Sequence, residues 1–73
     1  MDPSLEREIL ETLSARGQLS VSGIADALDR HPVTVDRQCY DLQSDGYIVI
    51  ATSGGAYKLT SKGQSRLDET DEA

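Results

Sequence analysis

A chain of 73 residues, 37% hydrophobic and with a formal net charge of −6, has room for one small core and excludes a multidomain enzyme. No apolar run approaches the ~20 residues a helix needs to cross a bilayer, and Asp2 and Glu6 stand where a secretory leader would be basic and then apolar. A single domain over residues 1–73, cytoplasmic and without a membrane partner, is the expectation. One cysteine, Cys39, and one histidine, His31, allow no internal disulfide and no metal-ligand spacing, so neither metal nor cofactor is expected.

The acidity is unevenly spread. Residues 1–29 carry Asp2, Glu6, Glu8, Glu11, Asp26 and Asp29 against Arg7 and Arg16, a net of −4, and residues 63–73 carry four acids against Arg66, a net of −3. Between them, residues 30–62 set Arg30, Arg37, Lys58 and Lys62 against Asp36, Asp41 and Asp45, a net of +1. The middle of the chain is thus the only segment that is not acidic. Asp outnumbers Glu and Arg outnumbers Lys, a balance typical of proteins that work in concentrated salt. Near molar salt the Debye length falls to about 3 Å, so acidic patches elsewhere hardly repel a polyanion.

In chain order, the first helix is expected from Met1 to Arg16, with Asp2 as cap, Pro3 in the first turn and Gly17 as terminator. Leu5, Ile9 and Leu13 form its apolar stripe; Leu10 lies off the centre, either as a core-edge leucine or as a contact between two copies. Gln18 and Leu19 leave room for a very short strand. Ser20 then caps a short helix to Leu28 with Val21, Ile24, Ala25 and Leu28 facing inward.

The next helix is the most informative. His31 can cap it, Pro32 suits its first position with φ already fixed, and Asp36 lies early enough to favour the positive end. Val35, Cys39 and Leu42 recur at spacings of four and three, within about 60° of one another on the helical wheel, and so form the buried side. The opposite side collects Val33, Arg37, Tyr40 and Ser44, flanked by Thr34 and Asp41 on one edge and Asp36 on the other. Gly46 ends the helix by taking a left-handed conformation. Tyr47–Thr52 and Ala56–Thr60 then alternate as two strands, joined by Ser53-Gly54-Gly55, which supplies the positive φ of a tight hairpin. Ile48, Ile50, Tyr57 and Leu59 are expected on the side facing the helices and Lys58 on the other. Thr60 or Ser61 can cap a last helix to about Leu67, with 68–73 as a frayed tail.

With these elements named, Val21–Ile48 (VSGIADALDRHPVTVDRQCYDLQSDGYI) resembles the helix-turn-helix of the MarR/ArsR-like winged-helix transcription regulators. Ala25, Leu28, Thr34, Val35, Arg37, Leu42, Gly46 and Ile48 match that pattern in register, and Ala56–Gly63 (AYKLTSKG) resembles the second wing strand and its lead into a last helix. The resemblance runs from roughly Leu5 to Leu67. It implies an α+β winged helix-turn-helix: a three-helix core, a two- to three-stranded β-wing in which the short strand at Gln18 pairs beside the hairpin, and a short C-terminal helix. Gly23 stands where many relatives carry an acid that completes a capping box, which weakens that helix start.

The function the resemblance implies is DNA-binding transcription regulation, with the helix at about 32–45 in the major groove and the wing at about 47–60 near the backbone. Arg37 suits a guanine, Val33 a thymine methyl, and Thr34, Tyr40 and Ser44 bases or phosphates; Arg30, His31 and Pro32 lie at the turn nearest the backbone. Gly54 and Gly55 can bring amides to a phosphate, and Lys58 adds the wing's charge, although the wing tip holds no Arg or Lys. Double-stranded DNA and a second copy of the chain are the expected partners. Relatives often dimerise and bind effectors through long terminal helices; this chain has almost none, so no small-molecule effector is expected. The alternative is a winged helix that docks proteins. An enzyme is not expected, because no nucleophile has a neighbouring base and no Gly-rich phosphate loop follows a strand.

Overall fold

The computed structural model describes residues 3–51 and 55–70; the Asp2 cap, Ser53 and Gly54 lie outside them. Helix α1 (Pro3–Arg16) ends at Gly17, whose φ of 91° is one that a side chain would strain. Strand β1 (Gln18–Leu19) follows, then α2 (Val21–Leu28), whose start is capped by Ser20 accepting the Gly23 amide at 3.2 Å. The turn out of α2 is made by Asp29 at φ 55°, a left-handed position that Asp tolerates better than most residues. Helix α3 (Pro32–Ser44) leads through Gly46 at φ 86° into strands β2 (Ile48–Ile50) and β3 (Tyr57–Leu59), and α4 (Ser61–Thr70) closes the order.

The strands form one antiparallel sheet in the order β1-β3-β2. Gln18 pairs with Lys58 and Leu19 with Tyr57 on one side of β3, while Ile48, Val49 and Ile50 pair with Leu59, Lys58 and Tyr57 on the other. Four helices and a three-stranded wing are the expected α+β winged helix-turn-helix, including the two-residue strand beside the hairpin.

The core is Leu5, Ile9, Leu10, Leu13, Ile24, Ala25, Val35, Cys39, Leu42, Ile48 and Tyr57, with Leu19, Val21, Leu28, Tyr47, Leu59 and Leu67 packed around it. Two expectations change here, and one open alternative closes. Of the two readings open to Leu10, the core one holds: it is 1% exposed, because α1 packs against α2, α3, α4 and β3. Ile50 is 50% exposed rather than facing the helices, since it sits two residues nearer the wing tip than the fully buried Ile48. The last helix runs to Thr70, past Leu67, braced to α1 by Arg66 with Glu6 at 3.8 Å and by Ser14 with Gln64 at 3.3 Å.

The joint between α3, β2 and α4 fixes how the wing leaves the helices. The Tyr47 amide donates to the Leu42 carbonyl and the Thr60 amide to the Tyr47 carbonyl, both at 3.0 Å. Thr60 Oγ1 lies 2.7 Å from the Gly46 carbonyl oxygen and accepts the Gly63 amide at 3.0 Å, which makes Thr60 the cap of α4. Gly63 is required by space: a Cβ there would collide with the Tyr47 carbonyl oxygen and lie 2.8 Å from a Leu59 methyl.

Candidate nucleic-acid interface

Helix α3 has two unlike sides. Val35, Cys39 and Leu42 are at most 1% exposed, while Val33 is 61% and Tyr40 67% exposed. Pro32, Thr34, Arg37 and Ser44 are exposed beside them, as the spacing predicts. A 67% exposed tyrosine and a 61% exposed valine leave apolar surface of α3 in water. Among the described residues no ion pair joins Arg37 to Asp41, although the spacing of four would permit one. Arg37 stands free on the outward face.

His31 caps the helix: its Nδ1 accepts the Val33 amide at 3.2 Å, which requires that nitrogen to be unprotonated. Arg30 is less available than its place at the turn suggests, because its guanidinium reaches back to Glu8 of α1 at 3.4 Å. Lys58 is exposed at the centre of the sheet's outer row, with Gln18 and Val49 as its cross-strand neighbours. Gly55, at φ 86°, has open space where a Cβ would be, and Gly54 lies outside the described residues.

Tyr40 and Tyr57, with Asp36, Arg37 and Asp41, line an open cleft of about 360 Å³ between α3 and β3. The Tyr57 hydroxyl donates to Gln43 Oε1 at 3.5 Å. Burial and then the charge of Asp36 push the Cys39 thiol up to about 12, so it stays protonated and inert at ordinary pH, as core packing requires. Burial, followed by Cys39 and Asp36, also raises the Tyr57 pKa.

Sequence reasoning overlooked Lys62. Its ammonium donates to the Asp45 carbonyl at 2.7 Å and stands 5.2 Å from the centre of the Tyr47 ring, tying the end of α3 to the start of α4. The partners lie far apart in the sequence, so no local pattern announces them.

Residues 6–58 match the family model described as an HTH domain. The chain belongs to the HTH domain family. Solved structures place this HTH domain among winged-helix regulators. It superposes on a MarR family transcriptional regulator from Silicibacter pomeroyi with a TM-score of 0.87 at 28% identity, covering 93% of this chain and 47% of that one. Bordetella bronchiseptica BpsR, whose DNA binding is regulated by 6-hydroxynicotinic acid, gives 0.85 at 17% identity over 93% and 51% of the two chains. The YusO protein of Bacillus subtilis gives 0.82 at 23% identity over 89% and 50%. The HTH domain here spans about half the length of the structures it matches. No curated protein matches it in sequence. Its architecture is the winged helix-turn-helix of the MarR-like regulators.

Proposed function

We propose that this chain is a DNA-binding transcription regulator that enters the major groove with the outward face of α3 and lays the wing near the backbone. The observation that carries the reading is the division of α3: Val33, Arg37 and Tyr40 have no role in the fold, yet stand together on one exposed surface of a helix-turn-helix. In this reading Arg37 donates to guanine O6 and N7, Val33 meets a thymine methyl, and Thr34, Tyr40 and Ser44 reach bases or phosphates. Pro32 and the His31 turn bring backbone close to the phosphates, with Arg30, Gly54, Gly55 and Lys58 as further phosphate contacts.

A single module of this size makes few phosphate contacts, so a homodimer on a two-fold symmetric site is part of the proposal, with its reading helices about 34 Å apart. Buried Leu10 does not serve that interface; exposed parts of α1 and α4 remain for it. The expectation that no small molecule acts on the chain is withdrawn, since DNA binding by BpsR responds to one. The working compartment is the cytoplasm, where the DNA is; among the described residues no helix is long and apolar enough to cross a membrane.

Titration of matched and scrambled duplexes tests the reading. Arg37→Ala should lose about 1–3 kcal/mol on the preferred site and flatten discrimination at one guanine, whereas Lys58→Ala should weaken binding to every sequence and lower the salt slope by about one. If Arg37→Ala binds as the parent does, and Val33 and Tyr40 are also dispensable, α3 is not the reading element and the chain is a protein-docking winged helix.

A further inference from the structure

The outward side of α3 holds a second ionic group that the reading above leaves unused. Asp41 follows Arg37 by one turn, is exposed, and lines the same cleft with it. Neither takes an ion-pair partner among the described residues. On the helical wheel Asp41 lies about 40° from Arg37, on the outward side. Asp36 lines the same cleft but lies about 100° from Arg37 on the wheel, on the opposite flank of the helix from Asp41. A free carboxylate on a helix that approaches phosphates opposes binding to DNA in general. It is tolerated at least cost where the groove offers a hydrogen-bond donor, and in the major groove those donors are the amino groups of cytosine N4 and adenine N6; guanine O6 and N7 and thymine O4 are acceptors that a carboxylate repels.

Resting on the proposed function, we infer that Asp41 is a specificity-determining residue that accepts a hydrogen bond from a cytosine N4 amino group close to the guanine read by Arg37. Four helical residues rise about 6 Å, and base pairs are stacked about 3.4 Å apart, so the cytosine lies one or two base pairs from that guanine. Arg37 and Asp41 then form a donor and acceptor pair matched to an adjacent G and C, and the carboxylate acts mainly by rejecting wrong sequences.

Selection from randomised duplexes, using the whole chain, tests this with the parent, Asp41→Asn and Arg37→Ala. The parent should enrich a guanine with a cytosine one or two positions away. Asp41→Asn should lose about 5- to 150-fold of its preference for that cytosine and shift toward adenine, which an amide reads through N6 and N7, while binding random DNA more tightly because a negative charge is gone. Its thermal melt should match the parent, since Asp41 is exposed and among the described residues its carboxylate takes no ion-pair partner. If Asp41→Asn enriches the same bases as the parent at every position, the Asp41 assignment falls and the regulator reading stands. If the parent enriches no sequence at all, both fall.

Discussion

The two sides of α3 differ in what they answer to. The inner side, Val35, Cys39 and Leu42, is sealed against α1, α2 and β2, and no buried polar side chain accompanies it among the described residues. The outer side, Val33, Arg37, Tyr40 and Ser44, touches little of the fold and keeps both apolar surface and a free charge in water. One helix thus carries two separate demands, and substitutions on its two sides should separate stability from binding. A small domain has little stability to spare, which makes the separation measurable.

The largest effect is expected inside. Leu42→Ala removes a core side chain that is 1% exposed and should cost about 2–5 kcal/mol in denaturant titration; a loss under about 1 kcal/mol would mean that the inner face of α3 does not hold the core together. Next comes the joint that orients the wing. Gly63→Ala forces a Cβ against the Tyr47 carbonyl and should cost about 1–3 kcal/mol, whereas Ala is ordinarily the better helix former; a melt equal to or above the parent would refute the packing at that joint. His31→Ala deletes the cap on the Val33 amide and should cost about 1 kcal/mol. The smallest effect belongs outside: Val33→Ala and Tyr40→Ala should leave stability within about 0.5 kcal/mol of the parent, and a larger drop would show that the outer face supports the fold after all.

The exposed side of α3 was legible because helical periodicity divides outer from inner positions without knowledge of neighbours: the exposed set on α3 is the set that the spacing predicts. Arg30 shows where that ends. Its place at the turn says backbone contact, but Glu8, far off in sequence, lies within 3.4 Å and competes for it. Ile50 fails for a like reason, being 50% exposed although the alternation turns it to the same side as the buried Ile48.

What the sequence determined by itself is local. Pro32 and His31 set where α3 begins, Gly17 and Gly46 where helices stop, and Ser20 where α2 starts, because each acts through φ or through a bond to an amide two or three residues away. The tertiary structure alone decided the rest: that Lys58 is flanked by Gln18 and Val49, that Lys62 caps the end of α3 through Asp45 while standing over Tyr47, and that Gly63 is needed for its smallness rather than for its φ. These depend on sheet register and on the approach of elements distant along the chain, and a contact made by folding leaves no trace in the spacing of its own neighbours.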